Sequence, residues 1–340
     1  MSGQTASDHD TLHAALYVAC RAPSLHNSQP WRWQLAAHSV HLRADPTRIL
    51  PATDPTGRQM VISCGAALHH ARVAFAALGW HPIIHRLPNP TDPGHLASIE
   101  FEHNNPIRAR DVTLAAAAVR RRTDRRPFLP SDLPESTTSR LASVAHIEGA
   151  ELLILPPMMM PELLMTSWSP NSIHDTGYWA QPSWTAPPNG VPTTTLLTPV
   201  TAQRVHMARD FQTSGGTLTS PPHTPDGATL TVLHTADDDR RSWLQTGEAL
   251  AAVLLEATAA GLATGTLTHP TEIKDTRAAL EQAITSLSAH PGHAHAGHAH
   301  PSHVHPSHAQ ALIRIGHVPS PLPGPRTPRR PHTDVLEQLP

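Results

Sequence analysis

The stretch GAALHHARVAFAALG, residues 65–79, has a counterpart far downstream in GEALAAVLLEATAAG, residues 247–261. Each begins with G-x-A-L, encloses a helix-forming run and ends at a second glycine 14 residues after the first. Strand-like sequence precedes and follows both. The two stretches lie 182 residues apart, which predicts a duplicated module rather than a short-period solenoid. Two unrelated alanine-rich helices that share glycine ends are the alternative.

Helix and strand patterns extend outward from both stretches. Apolar residues with helical spacing occupy 10–20, and the alternation in WRWQL and HSVHLRAD predicts two strands. A second module would begin with a helix over 112–122. Its strands are expected at 149–155, 229–235 and 311–318. We therefore predict a first module at 1–108 and a second at 109–340.

Composition restricts the class of protein. With 340 residues, 39% of them hydrophobic, the chain can bury a sizeable core. Its formal net charge of −2 gives no electrostatic argument for nucleic acid or an anionic membrane as a partner. The polar N-terminus has no signal-peptide pattern, and no apolar run reaches the ~18 residues of a membrane span. Cys20 and Cys64 are the only cysteines, too few for a disulfide framework, so a cytoplasmic location is expected.

Two segments interrupt the pattern of helices and strands. Residues 156–226 are rich in proline, hold three of the seven tryptophans and show no period. We interpret them as a lid over a surface, with a disordered insert as the alternative. Residues 290–308 form a low-complexity loop with eight histidines. Imidazoles two residues apart can bind Zn²⁺, Ni²⁺ or Cu²⁺, but no cysteine or carboxylate joins them, so a tolerated loop expansion competes with metal binding.

Basic residues form two groups. In VRRRTDRRPF, residues 119–128, five arginines surround Thr123 at the end of a predicted helix. Planar guanidinium groups suit bidentate binding of a phosphate, although a solvated helix C-terminus explains the same pattern. The second group, PRTPRRP, stands in a basic tail at 319–340 and includes Arg329 and Arg330. If the chain folds back, this tail would complete a phosphate site.

A third motif is RAPSLHNSQPWRW, residues 21–33. Pro23 and Ser24 predict a tight turn, and Asn27 and Gln29 offer amide donors and acceptors at the edge of a flat heteroaromatic cofactor. A helix end anchored by buried tryptophans is the alternative. The usual dinucleotide, P-loop and serine-nucleophile patterns are all missing from the sequence.

Together these motifs resemble the FMN-dependent nitroreductase superfamily. APSLHNSQPW is similar to its A-P-S-x-x-N-x-Q-P-W signature, and RRTDRRPF is similar to the phosphate-binding start of its subunits. The resemblance covers most of the chain and is closer to the fused, dormancy-associated mycobacterial Acg branch. It implies an α+β nitroreductase-like fold, with two tandem modules forming a pseudo-dimer of antiparallel-rich sheets and flanking helices. The chain would then be a monomer that mimics the homodimer.

In the superfamily each flavin takes its phosphate arginines from one subunit and its turn from the other. Here the first repeat has the turn without an arginine cluster, and the second has the cluster without the turn, so one FMN per chain is expected. No catalytic side chain and no protein metal ligand is assigned. The resemblance assigns Arg121, Thr123, Arg125, Arg329 and Arg330 to the phosphate, Pro23, Ser24, His26 and Asn27 to the ribityl chain and ring, and Thr268 and His269 to the backbone near the ring.

The resemblance implies two functions. In the first, reduced FMN passes electrons from NAD(P)H to a small aromatic acceptor such as a nitroaromatic or a quinone. In the second, the 156–226 segment covers the flavin and the protein stores FMN or senses stress with little turnover. Metal binding by the histidine-rich loop is a lesser alternative.

Overall fold

The computed structural model describes residues 6–102, 106–130, 132–157, 190–205, 216–222, 225–289, 307–319 and 324–339. The fold is α+β, with two separate sheets of five and four strands and helices packed between and around them. The elements of the first part are α1 (Ala6–Ala19), β1 (Trp31–Leu35), β2 (Ser39–Ala44), α2 (Arg58–Ala77), β3 (His81–Arg86) and β4 (His95–Glu102).

The second part repeats this order with additions. Its elements are α3 (Ala109–Arg120), α4 (Glu135–Ile147), β5 (Glu151–Ile154), α5 (Pro199–Ala202), β6 (Thr229–Thr235), α6 (Arg240–Ala259), β7 (Ala263–Leu267), α7 (His269–Glu272), α8 (Lys274–Ser288), β8 (His308–Gly316) and β9 (Leu336–Gln338). The strands expected from the alternating patterns are therefore present, and the helix predicted at 10–20 lies at Ala6–Ala19.

The two sheets share one strand order. The first runs β3-β4-β2-β1-β9 and the second runs β7-β8-β6-β5, so each strand of the second has a counterpart in the first. Neighbouring strands are antiparallel, except that β9 pairs in parallel with β1 through Trp33 and Leu336. The prediction of two tandem modules with antiparallel-rich sheets is confirmed. The boundary at residue 108 stays a prediction, and the C-terminal strand joins the first sheet.

The two glycine-bounded helices cross at their first glycines. A Cβ added to Gly65 would lie 2.9 Å from Gly247 Cα and 2.1 Å from the Leu244 carbonyl oxygen. A Cβ on Gly247 would lie 2.0 Å from the Ile62 carbonyl oxygen. Only residues without a side chain allow this backbone contact. The repeated G-x-A-L therefore marks the contact between the modules, and the shared strand order of the two sheets favours a duplicated module over two unrelated helices.

The second glycine of each pair ends its helix. Gly79 and Gly261 have φ of 82° and 77°, the left-handed conformation that glycine adopts at low cost after a helix. Both helices begin earlier than their first glycines. The Asp54 carboxylate accepts hydrogen bonds from the backbone of Gln59 at 3.0 Å and Met60 at 2.8 Å, and these bonds support the first turn of α2. In the same way, the Asp239 side chain accepts from Ser242 at the start of α6.

A buried ionic network joins the modules beside the helix crossing. Glu248, which is 0% exposed, accepts from Arg86 at 2.7 Å and from Arg72 at 2.9 Å. Arg72 also donates to Glu148 at 2.5 Å, which connects α2 to the end of α4. Because burial of an unpaired charge is costly, these pairs hold the modules in one relative orientation.

Helix α2 is the one described helix whose length and apolar composition would permit it to cross a membrane, and 83% of its apolar window is buried inside the protein. It packs along α6 and the first sheet as a core helix. Trp31 and Trp33 on β1 are 0% exposed in the same core. Both tryptophans therefore lie in the core directly after the turn that precedes β1.

Candidate functional site

The turn between α1 and β1 has an unusual backbone. His26, Asn27 and Gln29 have φ of 48°, 58° and 50°, which side chains other than glycine rarely adopt. Ser24 Oγ accepts from the Gln29 backbone at 2.9 Å, and Ser63 Oγ on α2 accepts from the Leu25 backbone at 3.2 Å. Such strained backbone persists where surrounding contacts fix it, and it is concentrated at functional sites.

The C-terminal tail folds back onto this turn. Arg329 donates to Asn27 Oδ1 at 2.7 Å and to the Ala22 carbonyl at 3.2 Å. The Arg330 backbone donates to Gln29 Oε1 at 2.8 Å. Asn27 in turn donates to the carbonyls of Pro328 and Gly190 at 3.0 and 2.9 Å. The turn, the tail and Gly190 of the 156–226 segment thus meet at Asn27.

Five arginines from three segments act on one another electrostatically beside this turn, and we name them the arginine cluster: Arg21, Arg121, Arg122, Arg326 and Arg329. Burial and then the charges of Arg21 and Arg122 lower the pKa of Arg121 to about 10. Burial and then the charges of Arg121 and Arg21 lower the pKa of Arg329 to about 9. Within the described ranges, no carboxylate forms an ion pair with any member of the cluster.

Arg121 is the most exceptional member. It is 6% exposed, and its Nε has no hydrogen-bond partner among the residues that the structure describes. By contrast, Arg126 is also buried in the same motif, but it forms an ion pair with Asp124 at 2.6 Å. A buried charge normally requires a partner, because desolvation costs several kcal/mol. The arginine cluster is therefore the candidate site for an anion, and guanidinium groups suit a phosphate.

The other arginine-motif residues have different positions. Thr123 forms an isolated parallel bridge with Thr264, and the Asp124 backbone donates to the Thr264 carbonyl at 2.8 Å. Arg125 donates to the Thr195 carbonyl of the insertion at 3.4 Å. Of the predicted phosphate residues, the structure brings Arg121 and Arg329 together, whereas Arg125 contacts the insertion and Arg330 contacts Gln29.

Thr268 and His269 lie at the start of the short helix α7, and His269 is 8% exposed. Two residues further on, Thr271 lies 3.5 Å from Gln59 Nε2 on α2. A cavity of about 350 Å³ opens between α7, α8 and the loop before α2. Its lining includes Asp54, Arg58, Glu272, Lys274 and Arg277.

The turn and this cavity are connected along α2. Ser63, which holds the turn, donates to the Gln59 carbonyl at 2.7 Å, and Gln59 lines the cavity. The turn before β1 and the start of α7 therefore both contact α2 between Gln59 and Ser63, through Leu25 and Thr271.

Sequence reasoning missed two parts of this site. Arg21 directly precedes APS in the motif that was predicted to lie at the edge of the cofactor, so its place in the sequence could have indicated a role. Arg58 lines the cavity, and nothing in the sequence distinguishes it from the other arginines. The described residues contain no cluster of three potential metal ligands, and residues 290–306 of the histidine-rich loop lie outside them.

Comparison with known proteins gives the family. In Mycobacterium tuberculosis H37Rv, "Putative NAD(P)H nitroreductase acg" is 38% identical over 334 residues, which cover 96% of this chain and 95% of that protein. The chain belongs to the Acg-type branch of the nitroreductase superfamily. A second M. tuberculosis protein, "Putative NAD(P)H nitroreductase Rv3131", is 34% identical to this chain. The alignment covers 97% of this chain and 92% of that protein. No protein-family model matches the chain.

Solved structures with remote similarity are nitroreductases. One is a nitroreductase from Bacteroides fragilis with bound FMN, which is 11% identical to this chain. The match covers 63% of this chain and 93% of the B. fragilis chain, with a TM-score of 0.37. Another, from Mycobacterium smegmatis in complex with NADPH, is 14% identical, covers 63% and 95%, and has a TM-score of 0.34. These values are too low to transfer any residue role.

Proposed function

We propose that this chain binds one FMN between its two modules and acts as an NAD(P)H-dependent oxidoreductase. The observation that carries the proposal is the buried guanidinium of Arg121 within the arginine cluster, for which the described residues supply no carboxylate partner. The FMN phosphate carries close to two negative charges at neutral pH, so its entry would neutralise charges that otherwise destabilise the folded chain. The names of the mycobacterial relatives and of the FMN-bound nitroreductases support the same assignment.

The chain's own residues would orient the cofactor. Arg121 and Arg329 bind the phosphate, and Arg329 is itself positioned by Asn27. The strained turn, with Pro23, Ser24, His26 and Asn27, lies along the ribityl chain and ring. Thr268 and His269 approach the ring from the second module. Thr123, Arg125 and Arg330 remain proposed phosphate residues.

Bound FMN supplies hydride and electron transfer between a donor and an acceptor. The cavity beside α7 has a volume within the range of small-molecule pockets and is the place that we propose for a small aromatic acceptor. The acceptor that we propose is a nitroaromatic or a quinone. The polar lining orients the acceptor rather than supplying an acid and base pair, since FMN performs the redox step.

A lid-covered flavin is a second candidate function, and one set of contacts favours it. The described parts of the 156–226 segment contact both halves of the site, at Asn27 through Gly190 and at Arg125 through Thr195. Residues 158–189, 206–215 and 223–224 of the predicted lid lie outside the described residues. A covered flavin would be stored or would report stress without reacting rapidly with NAD(P)H.

Anaerobic mixing of the FMN-loaded chain with NADPH and with NADH distinguishes these functions. Loss of the oxidised flavin absorbance within seconds supports the oxidoreductase and contradicts storage. Persistence of the absorbance with both nucleotides, followed by bleaching with dithionite, contradicts the oxidoreductase and supports storage. Metal binding by residues 290–308, a cytoplasmic location and a monomeric state remain proposals from the sequence.

We expect Asn27→Ala to lower FMN occupancy several-fold without unfolding the protein. The substitution removes the acceptor for Arg329 and the donors to Pro328 and Gly190, so the tail and the insertion lose a shared anchor. Occupancy is measured by absorbance after dialysis, and folding by circular dichroism. Gln34→Ala is the matched control, because Gln34 also bonds the tail through Glu337 but at an exposed position. Equal FMN occupancy in both variants would contradict the assigned site.

A further inference from the structure

Arg58, the first residue of α2, is a buried arginine that the proposed binding of FMN does not use. Its side chain is 6% exposed and lines the cavity beside α7. Its Nη2 donates to the Thr271 carbonyl at 2.5 Å, and its Nη1 donates to Gln310 Oε1 at 3.0 Å. Both acceptors belong to the second module, so this guanidinium of the first module is held against α7 and β8.

The hydrogen bonds of Arg58 do not neutralise its charge. In the described part of the chain, the acceptors of the guanidinium are backbone carbonyls and the Gln310 amide oxygen, and no carboxylate there forms an ion pair with it. Its Nε donates to none of these residues. Burial and then the charge of Arg277 lower the pKa of Arg58 to about 10, so the guanidinium stays charged at pH 7. A buried cation without a paired anion favours an anionic ligand group.

The acidic groups at the cavity have other partners. Asp54 accepts two backbone hydrogen bonds at the start of α2. Glu281 in the lining and the nearby Asp238 both form ion pairs with Arg277, at 3.3 and 2.8 Å. Glu272, the third acid of the lining, favours the charged guanidinium from a distance without forming an ion pair with it. An anionic group on a ligand is therefore most favourable beside the guanidinium at the start of α2.

We propose that the aromatic acceptor of this cavity carries a carboxylate and that Arg58 is the residue that selects it. The inference rests on the proposed function, which places a small aromatic acceptor beside α7. The carboxylate accepts a hydrogen bond from the Nε group of Arg58. Because a charge-assisted hydrogen bond is about twice as strong as a neutral one, the cavity discriminates a carboxylate from a carboxamide of the same shape.

Equilibrium dialysis of the full chain with para-nitrobenzoate and with para-nitrobenzamide tests this selection without turnover. The two probes are similar in shape, but at pH 7 only the benzoate is charged. We expect a Kd for the benzoate about tenfold lower than that for the benzamide. The chain is tested with and without FMN, so that the result does not depend on the proposed cofactor.

Variants locate the carboxylate. Arg58→Gln should bring the two Kd values within about twofold of each other, because glutamine keeps a hydrogen-bond donor without the charge. Arg58→Lys keeps the charge and should retain part of the preference. Lys274→Gln is the matched control and should leave the preference nearly unchanged, since Lys274 lines the same cavity at an exposed position where solvent screens its charge. Arg121→Met should also keep the preference, which distinguishes this site from the arginine cluster.

Equal Kd values for the two probes in the unsubstituted chain, or tighter binding of the benzamide, overturn the selection of a carboxylate and leave FMN binding intact. Because this comparison needs no variant, a poorly folded Arg58→Gln does not affect it. A preference that persists in folded Arg58→Gln, or that is lost in Arg121→Met, overturns the role of Arg58. If neither probe binds, the acceptor cavity and this inference are both wrong. A preference for the benzoate without bleaching by NAD(P)H contradicts the oxidoreductase alone.

Discussion

Arg121→Met should abolish FMN binding and, at the same time, leave the cofactor-free chain as stable as before or more stable. The guanidinium is buried, and no carboxylate in the described part of the chain pairs with it, so its removal takes away a charge that these residues do not compensate. Methionine fills a similar volume and packs well in an apolar interior. We expect the Kd for FMN to rise at least 100-fold, by equilibrium dialysis, with no fall in the melting temperature of the cofactor-free chain.

Arg126→Met is the matched control. Arg126 is buried in the same motif, but it forms an ion pair with Asp124 at 2.6 Å. Removing one partner of a buried pair costs about 3–5 kcal/mol, because the remaining charge loses its compensation. The two variants should therefore differ in the sign of their effect on stability. If Arg121→Met destabilises the cofactor-free chain as strongly as Arg126→Met, then Arg121 is a structural residue and the anion site is wrongly placed.

Gly65→Ala should destabilise the chain, although a glycine-to-alanine change within a helix normally stabilises by about 1 kcal/mol. The added Cβ would lie 2.1 Å from the Leu244 carbonyl oxygen and 2.9 Å from Gly247 Cα, and both are backbone atoms that cannot rotate away. The helices must separate, and overpacking of this kind costs about 1–3 kcal/mol or more. Because the proposed site combines residues of both modules, FMN affinity should fall with stability.

Gly261→Ala serves as the comparison in thermal unfolding. Nothing lies within 4 Å of a Cβ at this position, so the cost comes only from its φ of 77°. We expect a loss of about 1 kcal/mol and unchanged FMN affinity. A higher melting temperature for Gly65→Ala would mean that the helices do not cross at these glycines.

Prediction from the sequence succeeded for helices and strands that are determined by residues close together in the chain. The spacing of Gly65 and Gly79 marked a helix with a left-handed end, and alternation in WRWQL marked a strand with one buried face. The starts of α2 and α6 were missed by about two turns, because the aspartates that cap them stand in stretches without helical periodicity. The repeated glycines identified the modules, but only the structure shows that they contact each other.

The site was predictable in part. The arginine motif and the turn were visible in the sequence, whereas the meeting of Arg21, Arg121 and Arg329 depends on three chain segments far apart. The position of Arg125 against Thr195 depends on the insertion, whose sequence has no period. Arg58 could not be predicted, because its position at the cavity arises from packing of α2 against α7 and β8.

The most direct test of the composite site is the amount of FMN that the chain retains. The full-length chain is unfolded, freed of any cofactor, refolded with excess FMN and dialysed, and flavin absorbance is divided by protein concentration. We predict one FMN per chain, and none for Arg121→Met. No retained FMN in the unsubstituted chain, or two FMN molecules per chain, would contradict a single site built from the turn of one module and the arginines of the other.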